Sequence, residues 1–411
     1  MYKLQQIIHR AVRKLTKYGY SNCIAVKDNK NYQFKLNIFG YFDYIFSISA
    51  NARDFVKITS LESNANLVPL SLFGKSTCDD KTLSELYSYP SKSAKVNLWF
   101  VNFDFINDCY RRHHKWFNGR YNIAVFWWEL EDYFTNIRCF EFLDEILVFS
   151  SVTYSALEKI IPNNVKLTKL EYPFIIKLPT LSRNMVLEHF NLDVNYLYVL
   201  YSFDVHSYIE RKNPKGVLNA FDIAFRSNPK LKLVIKVTNF ELWRNECQDL
   251  LGFIQGLESK NSISIISDSL TDTQMRDLTA ACDIYMSLHR AEGLGLGMLE
   301  AMSLGKPVIA TRFGGNLDFM NDDNSLLVDY QLVAIEKSFA SYKKGYLWAD
   351  PDIQMAAKLL LELSTDAELF DTIGNNAKLD ILNRYNFENL KEVYNSFIQE
   401  REQLAQNRSK L

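Results

Sequence analysis

The apolar residues of this chain fall into two kinds of pattern. Over residues 2–18 they recur at helical spacing, as Leu4, Ile8, Val12 and Leu15, while Lys3, Arg10, Arg13, Lys14 and Lys17 fill the other face. That spacing predicts an amphipathic basic helix. From residue 36 onward, short apolar runs of strand length alternate with helical stretches. Residues 36–41, 97–101, 122–127 and 145–150 read as buried strands, with helices over 50–61 and from 151 to 159. Residues 173–195 carry Pro173 and Pro179 and no clear strand, which predicts a linker. Alternation then restarts, with strands at 197–202, 231–237, 262–266, 283–288 and 308–311. Helices are predicted over 214–227, where Val217, Ala220, Phe221 and Ala224 share a face, over 274–281, and beyond about 350.

Strands alternating with helices predict parallel sheets wrapped by helices, so the expected class is α/β, in two tandem units. The expected boundaries are a basic segment at 1–35, a first unit at 36–190, a second at 191–385, and a terminal helix over 386–411 placed to pack back on the first unit. Apolar residues make up 47% and charged residues 23%, which supplies material for two cores and excludes a disordered chain. The net charge of −1 lacks the basic excess of a nucleic-acid binder, so no nucleic-acid partner is expected. The local excess of cations before Asp28 leaves two readings of the first helix. One is contact with an anionic membrane surface, and the other is docking on its own domain with a solvated basic face. No apolar run reaches roughly 18 residues and no signal-type core opens the chain. A cytoplasmic protein is expected, with or without peripheral contact with the inner face of the membrane. Six scattered cysteines without a CxxC argue against a zinc site or a disulfide framework.

The chemistry concentrates in residues 287–307. After a strand ending near Leu288, Gly293, Gly295 and Gly297 occupy alternate positions, and a helix then runs to Leu304, stopped by Gly305 and Pro307. Glycines let a ligand approach the backbone, and a helix N-terminus suits a diphosphate. Glu292 and Glu300 flank the turn with seven residues between them. Carboxylates beside a phosphate site are suited to accept hydrogen bonds from ribose or hexose hydroxyls, which points to a nucleotide-sugar. The spacing does not fit GxGxxG, because Met298 or Glu300 stands where a third glycine would be needed.

This segment resembles the signature of the retaining glycosyltransferases of family 4, a Glu, seven residues and a second Glu at a strand–loop–helix junction. Residues 285–293, 310–320, 324–328 and 210–214, with Ala220 and Phe221 behind them, resemble one bacterial branch of cell-surface polysaccharide type. The likeness covers most of 195–385 and is looser over 36–175. It implies a GT-B fold, two Rossmann-like domains facing across a cleft. It also implies a metal-independent hexosyltransferase that moves a hexose from GDP-mannose or a UDP-hexose to a glycan or lipid-linked acceptor, in surface polysaccharide or lipopolysaccharide synthesis. By the resemblance Arg211 and Lys212 grip the diphosphate, with Lys215 as competitor for Lys212. Glu292 holds the donor sugar and Glu300 the ribose. Gly293, Leu294, Gly295, Leu296, Gly297 and Met298 complete the donor site with backbone groups. Two fixed cations can neutralise a leaving diphosphate, so neither cofactor nor metal is expected. Residues 350–352 spell DxD but read as a helix start, with Asp350 as N-cap and Pro351 at N1.

Other polar residues extend the picture. His289 and Arg290 are expected to line the cleft. Lys236, inside an apolar strand, reads either as a donor contact or as a snorkelling surface lysine. Asn102 and Asp104 end a strand and are expected on the acceptor side, together with Arg53. The Arg53 helix matches the family's Ala-Arg, but the loop before it lacks the family's glycines. Trp127 and Trp128 beside Glu129 and Glu131 read as a packed pair or as a surface for an acceptor sugar. His113 and His114 lie in a basic stretch and read as surface residues. Base recognition is expected near 267–271. Two rival readings stand: a non-catalytic glycosyltransferase-like partner protein, and a GT-B phosphorylase or epimerase.

Overall fold

A computed structural model of the chain describes residues 36–44, 47–61, 65–71, 80–132, 138–240 and 244–408. The basic segment 2–18 lies outside the described residues. The first unit contains β1 (Leu36–Gly40), α1 (Ser47–Ile58), β2 (Asn66–Pro69), β3 (Val96–Phe100), α2 (Phe103–Phe117), β4 (Tyr121–Val125), β5 (Glu145–Val148), α3 (Ser151–Glu158) and β6 (Lys166–Lys169). Its strands form one parallel sheet in the order β2-β1-β3-β4-β5-β6. Every residue of β1, β3, β4 and β5 is buried, as expected of parallel strands covered on both faces. The asparagines this buries satisfy one another across the sheet. Asn37 donates to Asn97 at 2.9 Å, and Asn97 donates to Asn122 at 2.8 Å.

A connecting segment with α4 (Arg183–His189) leads to the second unit. This contains β7 (Leu197–Asp204), the helical turn α5 (Ile209–Lys212), α6 (Pro214–Ser227), β8 (Leu231–Thr238), α7 (Arg244–Gln255), β9 (Ile263–Ile266), α8 (Asp272–Ala281), β10 (Ile284–Ser287), α9 (Leu296–Ser303), β11 (Val308–Thr311) and β12 (Leu326–Val328). The sheet order is β12-β11-β10-β7-β8-β9, again parallel. The chain winds outward from β7 through β8 to β9, then returns to lay β10 on the other side of β7. A crevice opens at such a reversal, beyond the carboxyl ends of the strands. The loops after β7 and β10 face each other there.

Several elements depart from the expectations. The stretch holding His113 and His114 is the last turn of α2, with a kink at His113. β6 is a short edge strand of sequence KLTK, too polar to stand out as an apolar run. β13 (Tyr330–Ala334) and β14 (Leu347–Pro351) form an antiparallel hairpin that periodicity did not reveal. Asp350 therefore lies in a strand. The helix α10 (Ile353–Thr365) is capped by Asp352, whose side chain accepts from Met355 N at 3.0 Å.

After α11 (Ala367–Arg384), α12 (Phe387–Arg408) returns to the first unit and packs on α1, β3 and β4. Arg401 meets Glu145 of β5 through two bonds of 3.0 and 2.7 Å, with both residues buried. Tyr121 and Thr168 donate to the same carboxylate. Among the described residues no helix is long and apolar enough to cross a membrane. Arg401→Ala should lower the stability of the first unit by about 3–5 kcal/mol, because it strands Glu145 as a buried unpaired charge. Urea unfolding followed by circular dichroism measures this, and pairing Arg401→Met with Glu145→Gln should recover much of the loss.

Candidate active site

The site is built where the loop after β7 locks onto the loop after β10. Tyr208 has φ +70°, and its carbonyl accepts from Arg211 N and Lys212 N at 3.1 and 3.2 Å, which winds α5. Asn213 then adopts the left-handed conformation, φ +55°. Its Nδ2 donates to Leu288 O at 2.8 Å, and its Oδ1 accepts from Gly216 N, capping α6. Arg290 N donates to Arg211 O at 2.8 Å. The two loops are thus tied by their main chains before any charge is counted.

The charges complete the junction. Arg211 is 4% exposed. Its Nη1 donates to Ala291 O at 2.7 Å, its Nε donates to Ser207 O at 3.0 Å, and Nη1 lies 3.7 Å from Glu292 Oε2. Lys212 Nζ bonds directly to Glu292 Oε2. Burial alone would raise the Glu292 carboxyl, but Lys212 first, then Arg211 and His289, hold it down to about 2. Burial lowers the Lys212 ammonium, against the pull of Glu292. Lys215, the competing lysine, points outward and pairs with the exposed Asp249 at 2.8 Å. Lys212 is therefore the lysine of the cleft.

The glycine turn sits directly above this cluster. Gly295 is the N-cap of α9 at φ +96° and supplies no side-chain cap, so the first-turn amides of α9 stay unsatisfied by a cap. A Cβ on Gly297 would lie 2.3 Å from the Tyr285 hydroxyl. Leu294 and Met298 bury their side chains in the core and leave backbone toward the turn. A second glycine pair, missed as a site feature in the sequence, presses on the turn from below. Gly315 N donates to Glu292 O at 2.8 Å, and a Cβ at Gly315 would stand 2.0 Å from Gly293 O. The signal for it was the adjacent Gly314 and Gly315 after β11, but only the fold shows what they approach.

Glu300, on α9, faces a small cavity of about 100 Å³ between the two units, lined in part by Asp54, Tyr172, Lys177, Asp272 and Arg276. Burial, aided by Asp272 and Asp54, pushes its carboxyl up to about 7 against Lys177 and Arg276.

Other expected residues take different positions. His289 is fully buried, with one ring nitrogen 2.8 Å from Phe313 O and the other 3.1 Å from Ser287 Oγ. It anchors the strand end and does not line the cleft. Arg53 is buried under the loop after β1. Its Nη1 donates to Phe42 O and Tyr44 O at 2.9 and 2.8 Å, and its Nε pairs with Asp80 at 2.9 Å. These bonds close the loop after β1, and Nη2 lies 3.7 Å from Asp272 of the second unit. Lys236 is 3% exposed, so it is not a snorkelling surface lysine. Its Nζ donates to Val237 O at 3.1 Å, and its charged neighbours are Asp204 and Asp268, away from the Arg211–Glu292 cluster. Asn102 stands at the N-cap position of α2 without a side-chain cap bond, because its Oδ1 accepts from Trp127 N at 3.0 Å. Asp104 accepts from Ser341 Oγ at 3.0 Å, across the cleft. Arg290 pairs with Asp350 at 2.9 Å, so both carboxylates of the 350–352 DxD have partners in the fold.

Residues 195–380 match the family described as Glycosyl transferases group 1. That match falls on the second unit alone. The fold as a whole is similar to that of the Anabaena protein Alr3699/HepE in complex with UDP-glucose, at 14% identity and a TM-score of 0.66, covering 89% of this chain and 99% of that one. It is also similar to sucrose-phosphate synthase from Thermosynechococcus elongatus, at 13% identity and a TM-score of 0.61, over 89% and 98% of the two chains. These likenesses establish a GT-B fold of two parallel-sheet, Rossmann-like domains. In sequence the chain is 28% identical over 115 residues to the sulfoquinovosyl transferase SQD2 of Arabidopsis thaliana. That match spans 28% of this chain and 19% of the relative.

Gly315→Ala should open the turn, because its methyl group would meet backbone and not a movable side chain. The expected result is a loss of about 1–3 kcal/mol in stability, read by thermal unfolding.

Proposed function

We propose that the chain is a retaining, metal-independent glycosyltransferase that moves a hexose from a nucleoside-diphosphate sugar to a glycan or lipid-linked acceptor. One observation carries the reading: buried Arg211 and partly buried Lys212 share Glu292 at the crossover of the second sheet, under the uncapped N-terminus of α9, with Glu300 farther along the same helix. That order suits a sugar, a diphosphate and a ribose in sequence. UDP-hexoses are favoured as donors, since similar folds have been solved with UDP-glucose and with UDP and GlcNAc. A cytoplasmic role in bacterial surface polysaccharide synthesis fits this chemistry.

In this mechanism Arg211 and Lys212 neutralise the phosphate oxygens as the anomeric C–O bond breaks, the role a metal ion would otherwise fill. The acceptor hydroxyl forms the new C–O bond on the same face and passes its proton to the leaving diphosphate. Glu292 is tied to Lys212 and orients a donor hydroxyl, so no protein nucleophile is required. Backbone groups from Gly293 to Met298 contact the diphosphate, and Glu300 accepts from the ribose. Closure of the two domains excludes water and limits hydrolysis.

Arg211→Ala should lower kcat by about 10²–10³-fold, the effect of losing a preorganised charge stabiliser worth ~2–4 kcal/mol. Steady-state turnover with UDP-hexose measures it, and near-normal turnover would remove Arg211 from the mechanism. Glu300 predicts a pH dependence. Its carboxyl titrates at about 7, so it is ionised and a full acceptor above that pH and becomes protonated below it. Nucleotide affinity should fall as pH drops from 8.5 to 5.5, while Glu292, held at about 2, stays ionised throughout. Calorimetric titration should show this slope in the wild type and a flat profile in Glu300→Gln.

A further inference from the structure

The turn after β4 carries a carboxylate that the mechanism above does not use. Residues 127–129 are fixed by bonds at every position but the last. Trp127 N donates to Asn102 Oδ1 at 3.0 Å. Trp128 N donates to Thr153 Oγ1 at 3.2 Å, while Trp128 O accepts from the same hydroxyl at 2.8 Å. The buried Trp128 indole donates to Asp132 O at 2.6 Å. A turn held this firmly aims the next side chain, Glu129, with little freedom.

Glu129 points at the glycine turn of the other unit. A Cβ on Gly293 would lie 3.3 Å from Trp128 O and 3.5 Å from Glu129 Cγ. Glu129 and Glu292 therefore flank Gly293 from opposite sides of the cleft. Both are electrostatic neighbours of Arg211 and of Lys212. Glu292 bonds to Lys212, whereas the hydrogen bond that Glu129 makes among the described residues is to a phenol: its Oε2 accepts from Tyr342 Oη at 2.9 Å. Tyr342 lies in the connection between β13 and β14 and is itself braced. Its ring stacks on Trp128 with centroids 5.5 Å apart, and it lies against Tyr208, the residue whose carbonyl winds α5. Beside Glu129, the Trp127 indole N–H is buried without a partner. An acceptor of hydrogen bonds thus faces the Gly293 turn from the first unit, beside the edge of the Trp127 ring.

We infer that Glu129, braced by Tyr342, is a positioning and specificity-determining residue that accepts a hydrogen bond from a hydroxyl of the transferred hexose, opposite Glu292. The inference rests on the donor-site reading given under Proposed function. Its chemistry follows from what is left over: with the cations committed to Glu292 and the incoming diphosphate, a carboxylate held by a phenol has acceptor capacity for sugar hydroxyls. Because Tyr342 belongs to the second unit and Glu129 to the first, this grip exists only with the two units together, so sugar recognition is coupled to closure.

The test compares affinity for a nucleoside diphosphate with affinity for its hexose conjugate, using UDP with UDP-glucose and GDP with GDP-mannose, in the full chain and in Glu129→Gln and Tyr342→Phe. The expected result for Glu129→Gln is unchanged nucleoside diphosphate affinity and thermal midpoint, with the added affinity due to the hexose reduced about tenfold, as for loss of one charge-assisted bond. Tyr342→Phe should shift the same ratio in the same direction by less, since its ring stacking is kept. An equal loss for both ligands, as a merely structural role would give, overturns the inference, and so does an unchanged ratio. A wild type that binds neither diphosphate overturns the donor-site reading, and this inference falls with it.

Discussion

Two neighbouring cations drawn onto one carboxylate, Arg211 buried and Lys212 partly so, set the terms for everything else in the cleft. Arg211 and Lys212 are consecutive, so their charges repel, and taking both from water is costly unless the surroundings repay it. Repayment comes from Glu292 and from the carbonyls of Ser207 and Ala291. Those carbonyls are held in place as the Asn213 side chain and the Arg290 main chain stitch the two loops together. The stitching in turn needs β7 and β10 side by side, which the reversal of strand order provides. The close approach of Gly315 to Gly293 then keeps the carboxylate-bearing turn from swinging away. The result is a pair of positive charges aimed and dried in advance, the condition under which electrostatic stabilisation acts most strongly on a developing negative charge.

Most of the second unit could be read directly, because strands buried on both faces appear as apolar runs, as in β10 and β11. What could not be read lacks that signature. β6 alternates at an exposed edge, and β13 and β14 are half-exposed. The helix α2 mixes its core residues with a basic cluster that masks the period. The glutamate-flanked turn was legible as a motif, since its spacing is local. Aim was not. Lys212 and Lys215 are three residues apart, and only the course of α5 into α6 sends one inward and the other to Asp249. His289 reads as a cleft residue until Phe313 O, far along the chain, is found to hold its ring. Arg53 kept its family position while its guanidinium was taken up by the loop it follows.

The first unit contributes to the cleft less through its own loop glycines than through contacts reached from the second. The β13–β14 connection bonds to Asp104 and Glu129, and Asp318 bonds to Ser151 and Lys169. Behind them, the return of α12 and the apolar packing of Tyr172 and Phe174 join the units through a shared core.

These two kinds of contact differ in what separation would cost. The bonds at the mouth of the cleft are polar and partly exposed, and each contributes about 0.5–1.5 kcal/mol net, with exposed ion pairs at the low end. Water replaces them readily. The rear contacts bury Tyr172, Phe174 and Tyr394 and the Glu145–Arg401 pair, and exposing any of these forfeits apolar burial or strands a charge. A displacement that opens the mouth about a fixed rear is therefore far cheaper than one that parts the units bodily. Such a motion separates Glu129 from Gly293 while leaving Arg211, Lys212 and Glu292 intact, because all three belong to the second unit. The two cations and Glu292 thus stay assembled in either arrangement, and only the groups that reach across from the first unit depend on the cleft being shut.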